Sequence, residues 1–474
     1  MGLPAGLSGE AAPAALAAYA RARDWIDREL VRLVPRRRDL PAKARAARAF
    51  AAALGDPQRA FPAVQVAGTS GKGSVTALLA HALRAAGLRV GRHVSPYLQA
   101  FTEKTWVDGR YLDGLELLEH ADALRAQVEP LARDPDYPAS VHGLAALGVT
   151  WLAFQRAGLD LAVVETGCGG RYDLVQGLDL SLAVITDLGL DHLETLGPTL
   201  ERIAWHKAGI MAAGRPCLAV RGDGAEVLAA EAERVGAPLT WVEPERVVRA
   251  RVAGPRGLEL VLALPALGEV ALELPGAGAY QARNAAVAGA ALDLLAREGW
   301  PVRAEHLRAG FREPLLPGRF EVVQARPRVI LDGAHNGQKL AALAGALGAP
   351  GAVAPGPLVV VAGGTGDRDP AQVARALAPC AARLVATAPG GLHGKDVLPP
   401  AAVADAARAA GLQAEAVEDP LAAVELALEQ AGPEGTVVVT GSLYLVGEVR
   451  GRWVPRERVV LQRTSWPAGL SGAG

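Results

Sequence analysis

Lysine is scarce in this 474-residue chain: six residues (Lys43, Lys72, Lys104, Lys207, Lys339 and Lys395) stand against 43 arginines. A sequence that drifts so far to arginine keeps lysine where arginine cannot replace it, or by chance. Cysteine is rarer still. Cys168, Cys217 and Cys380 are scattered, odd in number and form no C-x-x-C pair, which removes the usual sign of zinc or redox work and suits a reducing compartment. Net charge is almost absent, at −1 from 49 basic and 50 acidic side chains, so no overall positive field exists to hold nucleic acid or an anionic membrane. Any anionic ligand must be held locally. No apolar run reaches the ~18 to 20 residues of a membrane span, and the alanine-rich start lacks a basic segment leading into an apolar one. The cytosol is the expected location.

Half the residues are apolar, and the length exceeds what one core holds comfortably, so two domains, or three, are expected. Residues 1 to about 60 read as helical, with Arg36, Arg37 and Arg38 a solvated charge run at a turn. From Pro62 short apolar runs alternate with amphipathic helices, the pattern of a parallel sheet wrapped by helices. The strands are "AVQVA", "LDLAVVE" (159–165) and "LSLAVIT" (180–186). Residues 238–275 lose the helical period and predict an antiparallel hairpin region. An alanine-rich helix follows from Gln281. Around "EPLLPGRFEVV" the periodicity breaks, and "RVILDGAHN", "PLVVVAGGTGDRD", "RLVATAP" and "TVVVTGSLY" begin a smaller α/β domain. The expected division is 1–314 and 315–474, with a hinge near 313–318.

The segment "VQVAGTSGKGSV" reads as a phosphate-binding loop: Gly68, Gly71 and Gly73 admit close backbone approach, the following helix turns its N–H groups on the anion, and Lys72 reaches the terminal phosphates. Ser74 is then placed for Mg²⁺. Glu165 ends one buried strand, while Asp191 and His192 follow the next. Such side chains can converge on one cation beside the phosphates. Lys207 sits in "ERIAWHKAGIM" among Ile203, Ala204, Ala208 and Ile210. Lysine scarcity argues against a solvent-exposed side chain there. "LPGRFE" and "LDGAHNG" place Arg319, Asp332 and His335 where a closing domain could present them to a nucleotide, an arginine fork being suited to phosphoryl charge.

Taken together, "LGDPQRAFPAVQVAGTSGKGSV", "VSPYLQAFTEK", "VETGCGGRYD", "ITDLGLDHLETLGPTLERIAWHKAGI", "GAYQARNAA", "PGRFEVV", "ILDGAHN" and "TGSLYLVGEVR" resemble, in order and spacing, the folylpolyglutamate synthase and dihydrofolate synthase family of the Mur ligase superfamily. The resemblance implies a P-loop ATPase domain with a mostly parallel central sheet and a smaller Rossmann-like α/β domain, with the active site between them. It implies an ATP-dependent ligase that adds L-glutamate to a folate or to dihydropteroate through an acyl phosphate. Carried over by position, it implies ATP on Gly68, Thr69, Ser70, Gly71, Lys72, Gly73 and Ser74, with Asn284 near the adenine and Arg319 on the phosphates. It further implies one Mg²⁺ on Ser74 and Glu165, a second on His192, Asp332 and His335 near the incoming amine, and a carbamylated Lys207 assisting the metals. ATP, L-glutamate and the pterin acid are the expected partners, with no nucleic acid or membrane, and a monomer is expected.

The chain departs from the family's pattern in four places. Ser70 replaces the asparagine of GTNGKGS, Thr166 and Cys168 alter the glutamate motif, that motif ends in Gln176, and His142 within "ASVHGLAAL" stands where the family has Phe-Glu. None removes a group needed for acyl-phosphate chemistry. They leave open a Mur-type amide ligase acting on a different acceptor acid. A P-loop ATPase that switches a partner is opposed by "LDGAHN", and a silent binding protein by Lys72, Glu165, His192 and Lys207.

Overall fold

The computed structural model describes residues 11–30, 39–252, 257–276, 278–366, 368–390 and 396–466. Arg36, Arg37 and Arg38 lie outside them. Two α/β bodies form, each on its own sheet, as the family resemblance implies.

The larger sheet contains β1 (Pro62–Ala67), β2 (Val90–His93), β3 (Thr105–Val107), β4 (Arg110–Tyr111), β5 (Leu161–Glu165), β6 (Asp179–Ile185), β7 (Cys217–Val220) and β8 (Leu239–Val242), in the order β4-β3-β2-β5-β1-β6-β7-β8. Strands β2, β5, β1, β6, β7 and β8 run parallel, while β3 and β4 fold back antiparallel at one edge. Val64, Val66, Leu161 and Val163 face one apolar cluster, and Ala63, Ala162 and Val164 face another. Both faces are buried, as a parallel sheet requires. Because β1 lies between β5 and β6, the loop leaving β1 opens where the chain's winding reverses, the place where such sheets bind ligands.

The region 238–275 divides differently from the expected hairpin. Leu239–Val242 pairs parallel to β7 across the helix Ala225–Val235 and extends the large sheet. Such a β-α-β crossover joins parallel strands through a helix and leaves no mark on strand alternation itself. Strands β9 (Val248–Val252), β10 (Gly257–Leu264) and β11 (Gly268–Pro275) then form a separate antiparallel sheet. Leu258, Leu260, Leu262 and Leu264 turn inward to the core shared with the helix Gln281–Arg297.

The smaller sheet contains β12 (Arg319–Ala325), β13 (Arg328–Asp332), β14 (Leu358–Ala362), β15 (Arg383–Ala386), β16 (Gln413–Ala416) and β17 (Thr436–Thr440), in the order β12-β13-β17-β14-β15-β16. All neighbours are parallel except β12 with β13. The chain's end does not stay with this body, although the expected boundary at 315 assigns it there. Val454, Val459 and Val460 are buried in the first body's core, and the Trp466 indole donates to Leu315 O at 2.7 Å. An amphipathic helix docks where its apolar face is covered, and Arg456–Gln462 finds that cover on the first body.

Arg450 fastens these parts together. Its guanidinium is fully buried and donates to Glu321 at 2.8 Å, to Ser465 O at 2.6 Å and to Gln99. Burial raises the Glu321 carboxyl above its usual range and Arg450 opposes that shift. Arg450→Met would strand Glu321, and removing one partner of a buried ion pair costs about 3 to 5 kcal/mol. We expect a loss of this size in urea unfolding; a loss below about 1 kcal/mol would show that the pair behaves as a surface one.

Candidate active site between the two bodies

The loop after β1 is knitted to the loop after β6. Thr69 Oγ1 donates to Gly189 O at 2.9 Å, and Thr186 Oγ1 donates to Ser70 O at 2.6 Å. Gly68 has φ +147°, and a Cβ there would overlap Thr186 Oγ1. Gly71, at φ +83°, caps the helix Lys72–Ala85, and a Cβ there would overlap Asn284 Oδ1. Glycine is therefore required at both positions by conformation and by space. The helix N-terminus opens on a cleft cavity of about 400 Å³ lined by Thr69 through Ser74, and such a terminus favours anions.

Glu165 and His192 line the same cavity as Ser74. Gly73 passes over Glu165, where a Cβ would lie 3.4 Å from Oε2, and the Glu165 carboxylate is 3.9 Å from Lys72 Nζ. Burial raises the Glu165 carboxyl, and Lys72 pulls it back. His192 sits at φ +52° and is kept neutral, its pKa lowered to about 4 by burial against the pull of Asp191. Among the described residues no three His, Cys, Asp or Glu side chains cluster as a complete metal cage. A hydroxyl, a carboxylate and a neutral imidazole facing a phosphate loop do fit Mg²⁺, which typically takes one or two protein carboxylates and completes its shell with substrate phosphates and water.

Lys207 is buried with only 3% exposed, and its Nζ donates to Gly68 O at 2.7 Å. Lys72 Nζ reaches the same oxygen at 3.1 Å. Burial, and then the Lys72 charge, lower the Lys207 pKa to about 7. The solvent-exposed alternative is thereby removed.

From the second body come Arg319, Asp332 and His335, all lining the cleft. Arg319 Nη1 donates to Gly318 O at 3.1 Å and makes no carboxylate pair among the described residues. Asp332 accepts from the Tyr280 hydroxyl at 2.7 Å and from the N–H groups of Phe320 and Ala334 at 2.9 Å each. It thus clamps "GRF" to "DGAHN". The His335 Nδ1 lies 2.8 Å from Gly333 O and its Nε2 lies 3.1 Å from Lys339 Nζ. Burial, then Lys339, lower its pKa to about 3, so the ring is neutral.

Sequence reasoning set Asp191 beside a bound cation and Ser70 on the phosphates, but passed over the residues of the second body that pair with them. Asp191, from the first, accepts from Asn336 at 3.0 Å and pairs with Lys339 at 3.4 Å and Arg368 at 3.3 Å, all from the second. Burial opposes its ionisation, yet Lys339 and the other cations hold its carboxyl well below the usual range. Ser70 Oγ likewise donates across the cleft to Gln338 at 2.9 Å. Lysine scarcity was the available signal. Among the described residues Lys72 and Lys339 line the cleft, Lys43 and Lys104 line the cavity beside it, and Lys207 is bonded to the phosphate loop.

A phosphate loop at the switch point of a parallel sheet, closed by a second α/β body that supplies Arg319, defines a two-domain nucleotide-binding architecture of the Mur ligase class. Residues 66–292 match the Mur ligase middle domain, and residues 318–443 match the Mur ligase glutamate ligase domain. The chain is 31% identical over 408 residues to the folylpolyglutamate synthase of Lacticaseibacillus casei, covering 84% of this chain and 91% of that protein. It is 36% identical over 416 residues to a probable bifunctional folylpolyglutamate synthase/dihydropteroate synthase of Halobacterium salinarum, covering 85% of this chain. The chain spans about half the length of that relative and of its Haloferax volcanii counterpart, 48% of each. Among solved structures, Mycobacterium tuberculosis folylpolyglutamate synthase complexed with ADP superposes with a TM-score of 0.83 at 28% identity, over 93% of this chain and 99% of that one. Escherichia coli FolC in complex with DHPP and ADP superposes with a TM-score of 0.76 at 26% identity, over 91% and 97%. The chain belongs to the folylpolyglutamate synthase/dihydrofolate synthase family of Mur ligases.

Gly68→Ala must displace Thr186 or the carbonyl that holds both lysines, and overpacking of this kind costs about 1 to 3 kcal/mol. We expect calorimetry to show nucleotide affinity lowered by roughly that amount, about 5- to 150-fold. Unchanged affinity would show that the loop absorbs the methyl group.

Proposed function

We propose that this protein is an ATP-dependent ligase that joins L-glutamate to a folate or to dihydropteroate through an acyl phosphate. One observation carries the reading. The 400 Å³ cleft with the phosphate loop adjoins a second cavity of about 1140 Å³, and both are lined by Ser95, Pro96 and Gly167. ATP in the first and a carboxylic acid in the second would meet at that junction. The solved relatives that hold ADP, one of them also DHPP, support this allocation.

In the reaction the acceptor carboxylate oxygen attacks the γ-phosphorus and ADP leaves. The glutamate amine then attacks the acyl carbon, loses a proton and displaces inorganic phosphate. Lys72 and Arg319 neutralise the transferring phosphoryl group, the main protein contribution to such loose transition states. Ser74 and Glu165 would hold one Mg²⁺ and His192 a second, and these ions would supply further charge neutralisation. Asn284, packed on Gly71, would border the nucleotide, while Asp332, bonded to Ala334 N, would hold the loop carrying His335 on the amine side.

A second reading keeps the chemistry and changes the acid. His142 and Cys168 depart from the family's pattern, and both line the larger cavity. Phosphate release measured with and without L-glutamate, dihydropteroate or a reduced folate separates the readings, with mass spectrometry of the product. We expect release to require both substrates and a product heavier by one glutamyl residue. Ligation of some other acid alone selects the second reading, and release indifferent to any acid leaves only an ATPase. Lys72→Ala should lower turnover by about 3 to 4 kcal/mol of transition-state stabilisation while the protein stays folded.

We further propose a carbamate on Lys207. CO₂ adds to the neutral amine, one N–C bond forms and one proton is released; arginine cannot do this because guanidinium stays charged. With a pKa near 7, the ammonium predominates below pH 7 and the amine above it. Bicarbonate should therefore restore CO₂-depleted enzyme above pH 7 and fail to do so well below it. A ¹³C carbamate resonance should appear with labelled bicarbonate and vanish in Lys207→Ala, whose activity acetate should partly rescue. Full activity in Lys207→Arg would instead show that a cation suffices.

A further inference from the structure

The larger cavity contains a buried cation that the ligase chemistry described above leaves unused. Lys104 closes the turn Phe101–Lys104 behind β2, lines this cavity and is 7% exposed. Among the described residues its ammonium has no carboxylate within 4 Å and no hydrogen-bond acceptor; its recorded contact is the Tyr97 ring, 5.7 Å away.

The nearby carboxylates are all committed elsewhere. Glu103 Oε2 accepts from the N–H groups of Leu98, Gln99 and Ala100, and its Oε1 accepts from Ser465. Asp27 accepts from the Tyr97 hydroxyl at 2.7 Å and lies 3.0 Å from His142 Nε2. Glu165 accepts from Ser95 N and faces Lys72. Burial lowers the Lys104 pKa to about 8, against the pull of Asp27 and Glu165, so at neutral pH the side chain is mostly charged. A buried, unpaired ammonium is costly, and a chain with 43 arginines and six lysines has kept a lysine here. The natural complement is an anion on the molecule that fills the cavity.

Lys104 does not line the nucleotide cleft. The reacting carboxylate must sit at the junction by Ser95 and Gly167, so Lys104 serves a group elsewhere on the acceptor. We propose that Lys104 binds a second carboxylate of the acceptor acid, beside the one that reacts, and so selects acceptors ending in an amino-dicarboxylate over monocarboxylates. This rests on the ligase reading above. It assigns preference to acids that already carry a glutamyl group.

Calorimetry with the full chain, Mg²⁺ and AMPPCP tests it, using pteroate, with one carboxylate, and pteroylglutamate, with two. Lys104→Met should weaken pteroylglutamate at least tenfold more than pteroate. The ligand-free melting temperature of Lys104→Met should rise, because an unpaired buried charge is gone. A fall would reveal a structural partner and overturn the proposal. Equal losses for both acids, no loss for pteroylglutamate, or a parent that binds pteroate alone would also overturn it. A parent that binds AMPPCP but neither acid would overturn the acceptor reading itself, a result distinguishable from these.

Discussion

Two lysine Nζ atoms share the carbonyl of Gly68, Lys72 at 3.1 Å and Lys207 at 2.7 Å, and the surrounding loops hold that carbonyl in place. Like charges meeting on one acceptor repel, and burial adds to the strain on their ionisation. The arrangement persists because Gly68 is pinned from behind: Thr186 leaves no room for a side chain, Thr69 is bonded to Gly189, and β1 is locked between β5 and β6. The sheet order thus sets the loop, the loop sets the carbonyl, and the carbonyl sets both lysines. A site of this kind is short of negative charge, which a polyphosphate and the carbamate proposed on Lys207 would both supply.

The same deficit explains the contact between the bodies. Asp191 draws Lys339, Arg368 and Asn336 across the cleft. It concentrates cations around the phosphate loop in a chain whose net charge is −1. Local focusing of one sign in a low-dielectric cleft is how a nearly neutral protein holds an anion. Asp191 stays ionised against its burial because those cations outweigh desolvation. The bodies are joined by electrostatics that a bound anion would also enter.

The sequence made the parallel strands, the phosphate loop and Glu165 legible because each depends on local chemistry: short continuous apolar runs, glycine conformation, a carboxylate ending a buried strand. It did not show β8, since a four-residue edge strand has no pattern of its own and its register comes from β7. Nor did it show that the final helix returns to the first body, because docking depends on which apolar surface lies uncovered. The groups across the cleft, Asn336, Gln338, Lys339 and Arg368, were hidden for a similar reason: their partners lie more than 140 residues away. Lys339 and Lys104 were within reach all the same. The reasoning that marked Lys207, lysine kept amid arginine, applies to them unchanged.

Where the chain departs from its family, the departures fall in different places, Thr166 being buried and bonded to Val66 O just past the strand that carries Glu165. Ser70 exchanges an amide for a hydroxyl and spends it on Gln338, a contact between the bodies. Gln176 is used within its own loop, donating to Asp173 O at 2.9 Å, and on Arg48. His142 and Cys168 line the larger cavity, His142 lying within bonding distance of a buried aspartate that Tyr97 also holds. None replaces Lys72, Glu165, Lys207 or Arg319. Transition-state charge at a transferring phosphoryl group is the same whichever acid is activated, so the groups that meet it tolerate little change. An acceptor pocket, by contrast, answers to the shape and charge of one acid, and a few exchanged polar groups can alter which acid that is. On the proposed ligase reading the cleft would hold the groups that fix the chemistry and the larger cavity those that select the acid, the two joined at Ser95, Pro96 and Gly167.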